Sequence, residues 1–119
     1  MPSISPVLLV GTGDLSEFRA VLLAHGFGPM VAPSVDEARL MLRNFRVDAI
    51  ITFVTHADDL KRLSTFRAPL VVIGDHALPL DDVNCAACMA SWSAASMLTR
   101  VLERVISGER GIYETRGAA

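Results

Sequence analysis

The sequence predicts a three-layer α/β domain built around a parallel β-sheet. Two observations carry that expectation. Short apolar runs without polar interruption, among them Val7-Leu8-Leu9-Val10 and Leu70-Val71-Val72-Ile73, recur along the chain, as they do in strands covered on both faces. Segments of helical periodicity lie between them, and strands alternating with helices imply parallel pairing through crossover connections.

The elements follow in order. Val7 to Val10 is the first strand, stopped by Gly11-Thr12-Gly13. Asp14 stands three residues before Glu17, a variant of the capping box, and so opens a helix. Phe18, Val21, Leu22 and Leu23 form its apolar face, and Gly26 is its C-terminal stop. Pro29 to Ala32 is a second strand, placed at a sheet edge by its prolines. Ser34-Val35-Asp36-Glu37 is a capping box for a second helix continued by Ala38, Leu40, Met41 and Leu42. Asp48 to Val54 is the third strand and Asp58 to Phe66 a short third helix, with Asp58 and Asp59 at its cap. Pro69 and Gly74 bracket the fourth strand, and Cys85 to Met89 is the fifth. Ala94 to Ile106 is the closing helix, with Met97, Leu98, Val101, Leu102 and Val105 on its inner face. The segment between Gly74 and Cys85 lacks helical periodicity and holds Pro79 and Asp81-Asp82. It is near the lower limit for a parallel crossover, so a fourth helix there is expected to be shortened or lost.

Composition bounds the function. The 119 residues suit one domain: 1–106 as the folded unit and 107–119 as a tail or linker. Hydrophobic residues make up 51% and the mean hydropathy is +0.41, so the core is well filled or apolar surface is shared with a partner. A net charge of −2 and a pI near 5.8 argue against direct nucleic-acid binding. No apolar run approaches the ~18–20 residues of a membrane span, and the N-terminus lacks a signal-peptide pattern. A cytoplasmic location is the expectation.

Several stretches resemble the receiver domain of response regulators, in register over residues 5 to 106. Ala32-Pro33-Ser34-Val35-Asp36-Glu37-Ala38 resembles the family's second strand running into its second helix. Val47-Asp48-Ala49-Ile50-Ile51 resembles the segment that leads to the phosphoacceptor. Ala68-Pro69-Leu70-Val71-Val72-Ile73 resembles the fourth strand, and Leu98 to Ile106 the closing helix. The resemblance implies a flavodoxin-like, receiver-like three-layer sandwich with a five-stranded parallel sheet of order 2-1-3-4-5. It also implies where the chemistry would be, and there the sequence departs from the pattern. The metal-binding acidic pair falls on Gly11 and Thr12, the phosphoacceptor on Phe53, the phosphate-sensing hydroxyl on Gly74 and the phosphate-neutralising lysine near Ser91, with Trp92 in place of the usual proline. Phosphoryl transfer needs a nucleophile, a metal and cationic stabilisation of the equatorial oxygens. None stands at these positions. The chain thus resembles a pseudo-receiver, with Phe53 expected to be a buried, structural ring and with no catalytic residue, metal or cofactor.

Other signals have ordinary readings. Gly11-Thr12-Gly13 begins like a dinucleotide fingerprint, but the acid about 20 residues on, Asp36, falls in a helix cap; a tight turn is preferred. Cys85 and Cys88 have C-x-x-C spacing, yet on a strand they do not converge, and inert thiols are preferred. His25 suits a helix C-terminus. His56 and His76 fall on loops at the C-terminal side of the sheet and, with Trp92, would form the rim of the vacated pocket.

The favoured function is a signalling receiver-like module acting by phosphorylation-independent protein contact, not an enzyme. The alternative is a small-molecule sensor with its ligand in the vacated pocket. A shortened fourth helix would leave Leu78, Leu80, Val83 and Met97 partly exposed, an interface for a protein partner or a homodimer.

Overall fold

The computed structural model describes residues 5–13, 15–53, 56–74, 87–89, 94–107 and 111–113. Among the described residues the elements are, in order, β1 (Ser5–Val10), α1 (Ser16–Ala24), β2 (Phe27–Ala32), α2 (Val35–Asn44), β3 (Ala49–Thr52), α3 (Ala57–Ser64), β4 (Leu70–Ile73), β5 (Ala87–Met89), α4 (Ala94–Ile106) and β6 (Gly111–Tyr113). All strand pairs are parallel, in the order β2-β1-β3-β4-β5-β6.

The first five strands take the expected order. The sixth is a departure. Residues 107–119 read as a tail in the sequence, but Gly111–Tyr113 pairs with Ala87–Met89 as an added edge strand. Three residues offer too little pattern for a strand to be read locally; the pairing depends on the edge that β5 presents. The expected shortening of the fourth helix falls on 75–86, outside the described residues.

Strand periodicity divides the core into two layers. Val7, Leu9, Ala49, Ile51, Val71 and Ile73 face α1 and α4, where Leu22, Leu98, Val101, Leu102 and Val105 meet them. Leu8, Val10, Ile50, Leu70 and Val72 face α2 and α3, against Val35, Ala38, Leu60 and Leu63. Successive side chains of a strand point to opposite faces, so an apolar run without a polar residue is what a doubly covered strand requires. β2 lies at the sheet edge, where Pro29 interrupts no central ladder.

The caps follow the sequence in part. Ser34 is the N-cap of α2, and its Oγ accepts from the Glu37 backbone N–H at 3.2 Å. Gly26 closes α1 with φ +86°, its N–H donating to the Leu23 carbonyl at 3.3 Å; this left-handed conformation favours glycine. The start of α1 differs from expectation: Leu15 is its N-cap and makes no side-chain cap bond, while Asp14 lies outside the described residues. α3 differs too. His56 occupies its N-cap, with Asp58 and Asp59 inside the first turn, where the helix dipole favours anions. Asp59 instead pairs with Arg62 at 3.7 Å, and Arg62 reaches across to Asp36, joining α3 to α2.

Candidate functional site

The C-terminal edge of the sheet is where a fold of this order places its sites, and the parallel register sets Gly11 and Phe53 beside each other there. Val10 pairs with Thr52, and one step further the Phe53 N–H donates to the Val10 carbonyl at 2.9 Å. The Gly11 N–H donates to Ala32 at 3.0 Å and the Gly74 N–H to Met89 at 3.0 Å. Hydrogen bonding thus carries past the ends of β1, β3 and β4 and places Gly11, Phe53 and Gly74 along one edge.

Alternation also fixes the face. Position 11 continues Val7 and Leu9, and position 53 continues Ala49 and Ile51, so both sit on the α1–α4 side. Phe53 packs against that core together with Phe18 of α1. The two rings meet edge-to-face, with centroids 4.8 Å apart and planes at 66°, an arrangement worth about 0.5–1.5 kcal/mol beyond area burial. Gly11 is buried beneath this pair. A Cβ added there would lie 3.1 Å from the Phe53 Cβ and 3.3 Å from its Cδ2, so a side chain at position 11 would need Phe53 to give by a few tenths of an ångström. The neighbouring turn has a different need for glycine: Gly13 has φ +95° with open space around it.

Phe53 is half-buried, where the sequence suggested full burial. It stands one residue beyond β3, at the mouth of the sheet edge, and so keeps part of its ring in solvent. Thr12 and His56 are exposed. Met97, expected to be partly exposed, is half-buried and packs against the α1–α4 core; its place one turn into α4 directs it at the sheet. Ser91, Trp92, His76, Leu78, Leu80, Val83 and Cys85 lie outside the described residues, while Cys88 falls within β5.

The arrangement offers little chemistry at this edge. Phenyl and glycine side positions supply no nucleophilic oxygen and no hard ligand for a cation. Among the described residues, no group of three or more His, Cys, Asp or Glu could hold a metal ion, and no helix is long and apolar enough to cross a membrane.

Sequence reasoning missed the partnership of Phe18, which reads only as core on the first helix; no local signal ties it to position 53. It also missed a cleft at the opposite edge of the sheet, lined by Arg43, Phe45, Arg46, Phe66, Arg67 and Ile106. The separation of these residues along the chain hid it.

The sequence matches no family model and no curated protein sequence. Its structure does have counterparts. A LuxR family DNA-binding response regulator from Silicibacter pomeroyi superposes with a TM-score of 0.77 at 21% identity, covering 95% of this chain and 98% of that one. The isolated receiver (REC) domain of RcsB from Salmonella enterica serovar Typhimurium gives 0.74 at 14% identity, over 92% of each chain. The N-terminal domain of a response regulator/sensory box/GGDEF three-domain protein from Carboxydothermus hydrogenoformans gives 0.75 at 13% identity, over 87% of this chain and 94% of that one. At such identities the likeness is one of architecture, and the chain has the fold of response-regulator receiver domains.

Proposed function

We infer that this domain is a signalling module of receiver type that works without phosphorylation, through contact with another protein or with a second copy of itself. The observation that carries this reading is the Phe53–Gly11 pair. Phe53 stands at the end of the third strand, where the resemblance puts the phosphoacceptor, and its ring fills space against Phe18 and Gly11. A Cβ at position 11 would press on the Phe53 Cβ and the near edge of its ring. Glycine at 11 and the ring at 53 are thus close, compatible neighbours, and neither supplies a metal ligand or an acceptor oxygen. Gly74 adds no hydroxyl at the same edge.

A fold kept without its phosphoryl chemistry retains what receivers share physically, a rigid sheet with helical faces that present surface to partners. The reading is tested by beryllofluoride with Mg²⁺, which mimics a phosphoryl group on an acceptor aspartate. The amide ¹H–¹⁵N spectrum should not change on addition. Saturable shifts at Gly11, Phe53 and Gly74 would overturn it.

A further inference from the structure

A second feature lies at the other end of the sheet. The turn from α2 into β3 and the turn from α3 into β4 stand side by side at the N-terminal edge, and the end of α4 approaches them from the opposite layer. Between them is an open cleft of about 630 Å³, within the ~300–1,000 Å³ typical of ligand sites. Its wall carries Phe45, which is 57% exposed, and Ile106, 39% exposed. Phe66 is half-buried beside them.

Three arginines, Arg43, Arg46 and Arg67, share this cleft, and all are exposed. Among the described residues none of them forms an ion pair, whereas Arg62 pairs with Asp36 and Asp59. Asp48, the carboxylate in the same lining, accepts instead from the Ser5 hydroxyl of β1. Arg43, in the last turn of α2, has an ordinary explanation in the helix dipole. Arg46 and Arg67 lie beyond their helices and have no such role. A chain of net charge −2 thus gathers three cations, none ion-paired among the described residues, around exposed apolar side chains.

We propose that this cleft docks an acidic segment of a protein partner, with an aromatic or aliphatic side chain seated against Phe45, Phe66 and Ile106 and carboxylates facing Arg46 and Arg67. The combination of an apolar anchor with surrounding arginines is the composition of energetic centres in protein interfaces. Nucleic acid is disfavoured because a backbone-tracking site needs a longer basic stripe than three residues and is opposed by the acidic remainder of the chain. The site is independent of Phe53, so its failure would leave the pseudo-receiver reading untouched.

The test uses the full chain and a short fluorescein-labelled peptide alternating Glu and Phe, read by fluorescence anisotropy. Saturable binding is expected, weakening as salt is raised, with amide shifts centred on Val47 and Ala68. Arg46→Glu combined with Arg67→Glu should weaken it by ~10-fold or more. Arg19→Glu, an exposed change on α1, should leave it unchanged. The proposal is overturned by no saturable binding, by equal affinity for a Lys/Phe peptide, or by equal binding in the charge-reversed variant. Binding confined to oligothymidylate or to phosphatidylserine vesicles would also overturn it and assign the cleft to that partner class.

Discussion

Gly11 and Phe53 are sterically matched: any side chain at position 11 would begin 3.1 Å from the Phe53 Cβ. That contact is tighter than ordinary van der Waals packing, and it involves a Cβ fixed by backbone rather than the far end of a flexible chain. The pair therefore behaves as a unit, and its consequences can be measured.

The first concerns phosphoryl chemistry. Incubation with acetyl phosphate and Mg²⁺ should add no phosphate by intact-mass measurement, because the ring at 53 has no attacking oxygen and Gly11 and Gly74 supply no metal ligand. A stoichiometric adduct mapped to Asp14, Asp58 or Asp59 would show that another carboxylate serves as acceptor.

Replacing the ring with the residue that a phosphorylatable receiver would carry should not restore function. Phe53→Asp removes the edge-to-face contact with Phe18 and sets a charge against an apolar layer. Since the ring is half-buried, urea unfolding should show a loss of ~1–2 kcal/mol, below the ~3–5 of a fully buried phenylalanine truncation. The variant should remain inert to acetyl phosphate. Parental stability in this variant would mean that the ring adds nothing to the core.

Coupling between the two positions is a separate expectation. Gly11→Ala gains a little from reduced unfolded-state freedom, roughly 0.4–1 kcal/mol, but overpacking costs about 1–3 kcal/mol. The net effect should be destabilising. In the Phe53→Ala background the ring contacts at 3.3 Å and 3.5 Å are gone while the Cβ contact at 3.1 Å remains, so the same change should cost less without becoming free. A double-mutant cycle on urea midpoints should give a coupling of at least ~0.5 kcal/mol. Additive effects would show that the backbone relaxes the contact without help from the ring.

Self-association is the last expectation. The sequence predicts a partly exposed apolar patch of Leu78, Leu80 and Val83 near β5, and two-fold dimers are the commonest closed assembly. Sedimentation equilibrium at about tens of micromolar should show a dimer, a range in which weak interfaces assemble, and Leu80→Glu should weaken it. Met97 is a poor probe, because it packs against the core and a charge there would disturb the fold itself. A strict monomer would move the patch to a heterologous partner.

Much of this molecule was legible along the chain. Doubly covered strands need unbroken apolar runs, so Val7–Val10 and Leu70–Ile73 declared themselves. The Ser34 cap and the Gly26 stop were also readable, because capping and left-handed closure are settled within one turn. The lack of acids and hydroxyls at positions 11, 53 and 74 is a matter of composition at strand ends, which the order of elements locates. Tertiary structure decided the rest. Only parallel pairing between β1 and β3 brings Gly11 under Phe53, and only the packing of α1 on that face supplies Phe18. Arg62 chose Asp36 across helices, and the arginine cleft is assembled from separate turns. β6 exists because β5 offers an unpaired edge, not because three residues prefer a strand. Short-range signals fix elements through local hydrogen bonding and periodicity; contacts between distant segments depend on crossover geometry and register, which no window of sequence contains.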